Sequence, residues 1–154
     1  MIQKALFKVN EFCAANSIEY VVTGTTALSL HGIPSSFPPQ DIDIKVFHLK
    51  PEQEKKLTEL QFLSGLKTEE YKDNKCFSFI VNSCKVNVIV DNTDDYEEIF
   101  AQYSSISLTD EKHAKRHLIN VQLVKYALAD KMRLRREKDK AYMLDMIHHL
   151  TSLC

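Results

Sequence analysis

The stretch VTGTTALSLHGIPSSFPPQDIDIKV, residues 22–46, decides how the chain is read. An apolar run ends at Gly24-Thr25, and a helical pattern carrying Ala27, Leu28 and Leu30 follows until Gly32-Ile33-Pro34 stops it. The connector SSFPPQ is extended, because its prolines forbid regular helix. It delivers the chain to Asp41-Ile42-Asp43-Ile44-Lys45-Val46, where the alternation has period two. Both carboxylates then stand on one sheet face while Ile42, Ile44 and Val46 fill the other. Two residues of rise separate the aspartate backbones by roughly 6 to 7 Å, so their oxygens can converge on one divalent cation or a pair. Aspartate is a poor strand former and two unpaired anions repel, so the pattern asks for a cation, with magnesium or manganese as the candidate. Gly24-Thr25 lies where a strand hands over to a helix. Backbone N–H groups there, with the close approach that glycine permits and the Thr25 hydroxyl, suit a phosphate.

The rest of the chain is consistent with one domain spanning 1–154. At 154 residues with 44% hydrophobic side chains it has enough apolar surface for a core. Twenty Lys and Arg against 21 Asp and Glu leave no global charge to attract nucleic acid or an anionic membrane. No apolar run is long enough to span a bilayer, and MIQKALFKVNEFCAAN reads as an amphipathic helix rather than a signal sequence, so a cytoplasmic protein is expected. Cys13, Cys76, Cys84 and Cys154 form no C-x-x-C pair and are expected to be free buried thiols. His113 and His117, four residues apart, and the adjacent His148 and His149 lack a zinc signature and read as solvated helix and loop residues. Helices are predicted over 2–15, 25–31, 51–65 and 94–102, and strands over 18–23, 41–46, 75–81 and 84–90. Asn82-Ser83 forms the hairpin turn of the last pair. Short extended pieces near 105–108 and 116–118 precede helices over about 120–136 and 138–152. The stripe Val121, Val124, Leu128 and Met132 is expected in the core, with Lys131 beside it. The class is α/β (α+β): a mixed sheet flanked by helices, with a core over about 16–92 and a C-terminal helical pair over about 119–152.

The phrases VVTGTTALSLHG and QDIDIKVF, in that order, resemble the nucleotidyltransferase superfamily of the DNA polymerase beta type. Within it the chain looks most like the minimal bacterial nucleotidyltransferases of the abortive-infection toxin type. Gly24, Thr25, Ala27, Leu28, Leu30, His31 and Gly32 stand at the places of one motif, and Lys131, Arg136, Lys138, Asp139 and Asp145 match a second, C-terminal one. The resemblance implies a magnesium-dependent enzyme moving a nucleoside monophosphate from a nucleoside triphosphate to a hydroxyl or other acceptor. Asp41 and Asp43 would hold metal, Gly24 and Thr25 the outer phosphates, and Lys131 or Lys138 would neutralise developing charge. An RNA or protein acceptor and an antitoxin-like protein are the partners it suggests. The family's third carboxylate falls on CKVNVIVD at Asn87, whose amide oxygen can ligate a cation but carries no charge and accepts no proton. Asp91, four residues on, could replace it only through a shifted register or a bulge. Thr25 stands where the family has Gly or Ser, and Phe37-Pro38-Pro39 replaces the usual Arg and Thr ahead of the aspartates. The alternative reading is a degenerate member that acts as a nucleotide-binding or protein-binding module. For Lys131 the plain alternative is a stem that covers apolar surface. The basic run Lys131, Arg133, Arg135, Arg136, Lys138 and Lys140 is interleaved with Asp130, Glu137 and Asp139, and reads equally as a phosphate contact or as a salt-bridged helix surface.

Overall fold

Alternation sets the sheet's buried face: Ile42, Ile44 and Val46 are fully buried and their neighbours in sequence are not. The computed structural model describes residues 2–33, 40–66, 69–71, 74–91 and 102–134, with Lys140, Leu144 and His148. Its elements are α1 (Ile2–Ala15), β1 (Tyr20–Thr23), α2 (Gly24–Leu30), β2 (Asp41–Phe47), α3 (Pro51–Leu63), β3 (Glu69–Tyr71), β4 (Asn74–Val81), β5 (Cys84–Asp91), β6 (Tyr103–Asp110), β7 (Lys115–Gln122) and α4 (Val124–Leu134). The seven strands form one mixed sheet in the order β3-β4-β5-β2-β1-β7-β6. β2 runs parallel to β5 and β1 parallel to β7, while β1–β2, β3–β4, β4–β5 and β6–β7 are antiparallel.

The core lies between α1 and the apolar face of the sheet. Leu6, Val9 and Cys13 of α1 join Val22, Ile44, Val86, Val88, Phe77, Phe79 and Ile119, all buried. Burying each such side chain is worth about 1.5 to 3 kcal/mol, which is why the alternation in β2 and β5 sets their register. A smaller cluster joins α2 to α4 through Leu28 and Ala127, with Val124 and Leu128 packed against it. The helix α3 completes an edge. β3 pairs with β4 only over Asn74–Cys76, and the N–H groups of Ser78 and Ile80 beyond it donate to Gln61 Oε1 and Ser64 Oγ at 2.9 and 3.0 Å. A strand edge that would otherwise be open is thereby closed by side chains.

Several sequence expectations are met closely: α1, the β2 strand, the Pro51 start of α3, and the β4–β5 hairpin with both turn residues, Asn82 and Ser83, at positive φ. The predicted helix 94–102 falls almost wholly outside the described residues, as does most of 138–152, of which Lys140, Leu144 and His148 are helical. Other expectations are corrected. The piece near 116–118 is part of an eight-residue strand, and helix α4 starts at Val124 rather than near 120. The reason is tertiary: β7 is claimed by parallel pairing with β1, Val22 opposite Val121, so Val121 belongs to a strand and Met132, 62% exposed, leaves the expected stripe. His117 is likewise no solvated histidine. It points to the α1 face with 1% exposure and stacks on Phe7 at 4.4 Å. Asn10 Oδ1 accepts from the Tyr20 hydroxyl at 2.6 Å, and the Asn10 amide nitrogen lies 3.1 Å from His117 Nδ1. Cys13, Cys76 and Cys84 are buried thiols outside any disulfide, as expected, and Cys154 lies outside the described residues. Among the described residues, no helix is long and apolar enough to cross a membrane.

Candidate active site

The two aspartates are delivered by strand alternation, and the sheet then gives them neighbours from distant sequence. Thr23 of β1, Asp43 of β2, Asn87 of β5 and Ser78 of β4 stand opposite one another in a continuous row across four strands. Directly opposed residues share a face, so all four side chains project to the side away from the α1 core. Asp41 projects to the same side two residues before Asp43 and is exposed, whereas Asp43 is half-buried.

Within the row, Asn87 Nδ2 donates to Asp43 Oδ1 at 2.9 Å, and Ser78 Oγ donates to Asn87 Oδ1 at 2.8 Å. The other oxygen of Asp43 looks toward the junction of β1 and α2. A Cβ built on Gly24 would stand 3.4 Å from Asp43 Oδ2, and Gly24 itself has φ +67. The left-handed turn is thus made by the one residue that adopts it freely, and it brings backbone against the carboxylate. Threonines on either side of Gly24 brace the junction. Thr26 donates to the Asp41 carbonyl at 2.9 Å, and Thr23 donates to the Asp43 carbonyl at 3.3 Å.

Lys131 arrives from α4. It is 5% exposed, and its Nζ donates to Thr25 Oγ1 at 2.9 Å, which ties the last described helix to the Gly24-Thr25 junction. A cation this buried needs polar partners, and an oxygen-rich junction supplies them. The placement of α4 is held in turn by Gln122, whose Nε2 donates to Asp130 at 3.0 Å and whose carbonyl lies 2.8 Å from His31 Nε2. His31 is therefore a brace between α2 and β7 at the helix end. Burial first, and then the nearby Asp41 carboxylate, push the Cys84 thiol above its usual range.

The structure thus brings together Gly24, Thr25, Asp43, Asn87 and Lys131, with Asp41 beside them. Lys138, Arg136, Asp139 and Asp145 lie outside the described residues. Asp91 does not reach the site. The β2–β5 register runs unbroken from Asp41–Lys85 to Phe47–Asp91, so Asp91 lies four residues, about 13 Å, past Asn87. There it pairs with Lys45 at 3.9 Å. Sequence reasoning missed Ser78, Thr26 and Gln122. Ser78 had a signal, a lone hydroxyl inside the apolar run CFSFI; the other two had none.

The arrangement can be tested for a divalent cation by its donor chemistry. Two carboxylates without sulfur or imidazole suit a hard ion such as magnesium, which typically takes one or two protein carboxylates and fills its remaining positions with water and phosphate. Among the described residues no group of three or more His, Cys, Asp or Glu side chains gathers at one place.

Neither a protein-family model nor a curated sequence matches the chain. Solved structures do. A candidate nucleotidyltransferase from Thermotoga maritima superposes with a TM-score of 0.54 at 17% identity, covering 96% of this chain and 93% of the other. The fold is nucleotidyltransferase-like. An antigenic nucleotidyltransferase-like protein from Paracoccidioides brasiliensis has a TM-score of 0.50 at 14% identity over 90% of this chain and 70% of its own. Likeness at this level speaks for the architecture, and the site must carry any argument about chemistry.

Proposed function

We propose that the chain is a nucleotidyltransferase that uses magnesium or manganese to move a nucleoside monophosphate from a nucleoside triphosphate to a hydroxyl or other acceptor. The observation that carries this reading is the convergence at one sheet end of an aspartate pair, a left-handed glycine against Asp43, and a buried lysine bonded to Thr25. Asp41 and Asp43 would hold the ion, which when bound supplies charge neutralisation at the phosphates. Gly24 leaves room for phosphate oxygens near Asp43. Thr25 and Lys131 stand ready to donate to them, with Lys131 already desolvated and so able to act strongly on developing negative charge. The architectures of the two solved relatives support the same reading.

One observation favours a second reading, a nucleotide-binding module without turnover. Asn87 faces Asp43 with a donor where a third carboxylate would offer a proton acceptor. Calorimetric titration of ATP, GTP, CTP and UTP, with and without magnesium, tests both readings. Binding that needs the metal and is lost in the Asp41→Asn, Asp43→Asn double variant supports a nucleotide site here. Turnover with a panel of hydroxyl acceptors then separates enzyme from module, and no binding by any of the four overturns both.

A further inference from the structure

The hydrogen bonds around Asn87 assign it a task different from ligation. A carboxylate only accepts, so Asn87 must turn its N–H to Asp43, and its oxygen consequently faces β4. There the Ser78 hydroxyl donates to it at 2.8 Å. Ser78 is buried, and its own backbone N–H is tied to Gln61 of α3 at 2.9 Å, so the chain Gln61, Ser78, Asn87, Asp43 runs from the sheet edge to the site without a gap. Asp43 Oδ1 is the end of that chain. Oδ2, on the Gly24 side, has no hydrogen-bond partner among the described residues.

We propose that Asn87 is a positioning residue: it holds Asp43 through an N–H···O bond and, by presenting a donor to the cluster, limits it to a single divalent cation. A partial positive charge beside Oδ1 repels an ion on that side, while Oδ2 and Asp41 stay open to one. Ser78 keeps the amide in this sense by occupying its oxygen. The inference rests on the reading that Asp41 and Asp43 bind a cation, and extends it by fixing the number of ions and the residue that sets it.

Manganese is the probe, titrated into the full chain and followed by the resonance of the free ion. The unmodified chain takes up one Mn2+, and Asp43→Asn abolishes it. Asn87→Asp, which replaces the donor by an acceptor of the same shape, takes up two. Ser78→Ala keeps the count at one but weakens it by about tenfold, the usual size of an outer-shell effect. Thermal unfolding in a chelator is the second measurement. Near neutral pH Asn87→Asp unfolds at a lower temperature than the unmodified chain, because two carboxylates then face each other across β2 and β5. The difference closes on adding Mn2+, which then sits between the two carboxylates. Two Mn2+ on the unmodified chain overturns the proposal and leaves the metal reading standing, as does an Asn87→Asp variant of unchanged stability in chelator. No Mn2+ on the unmodified chain overturns both.

Discussion

Replacing Gly24 by alanine tests the geometry of the junction most directly, and Gly32 provides its control. Both glycines have left-handed backbones, φ +67 and φ +81, but a Cβ at Gly24 meets Asp43 Oδ2 at 3.4 Å whereas one at Gly32 meets nothing within 4 Å. A left-handed alanine costs roughly 1 to 2 kcal/mol, of which the stiffer unfolded chain returns about 0.4 to 1 kcal/mol. The net loss is then about 1 kcal/mol at each site. For a chain of this length that lowers the unfolding midpoint by about 2 to 4 °C. A contact at 3.4 Å is ordinary van der Waals packing, so it adds little to the stability loss at Gly24. Its effect belongs to binding: the methyl sits against the oxygen offered to a cation, so Gly24→Ala should weaken Mn2+ uptake while Gly32→Ala leaves it unchanged. Gly24→Asn should recover part of the lost stability, since asparagine tolerates the left-handed region. Urea unfolding and Mn2+ titration of the three variants provide the readings. A Gly24→Ala chain as stable as the unmodified one would refute the left-handed assignment. Equal Mn2+ binding by Gly24→Ala and Gly32→Ala would refute the role of the Asp43 contact.

Lys131→Met keeps the volume and apolar stem but removes the bond to Thr25, so nucleotide affinity should fall by at least about tenfold in calorimetry if the ammonium meets phosphate, and stay level if it serves packing alone. Ser83→Gly should stabilise the β4–β5 hairpin by about 0.5 to 1 kcal/mol in urea unfolding, because Ser83 has φ 63 in a turn that favours Asn-Gly. Burial pushes the Cys13 thiol from its ordinary value of 9.0 up to about 12, so its contribution to stability is complete below about pH 9 and is lost as pH rises toward 12. Unfolding measured across that range should therefore show a falling midpoint that Cys13→Ala flattens in part; Tyr20, raised chiefly by burial and then by Cys13, contributes in the same direction.

What the sequence determined by itself is whatever repeats locally. The period of two in Asp41–Val46 puts the aspartates on one face with no help from the rest of the chain. Asn82-Ser83 between two alternating runs makes a hairpin, and Pro51 starts a helix at the position its missing N–H allows. Gly24 ahead of a short helical pattern marked the junction for the same reason. The tertiary structure decided everything that depends on a partner far along the chain. Residues 120–122 have no local reason to prefer strand over helix until β1, about a hundred positions earlier, offers them a parallel neighbour. Burial of His117 required Phe7, burial of Lys131 required Thr25, and the sense of the Asn87 amide required Asp43 on one side and Ser78 on the other. A side chain's type states which bonds it can make. Only the fold states which of them it makes, because the energy of a buried polar group depends on the atoms that replace its water.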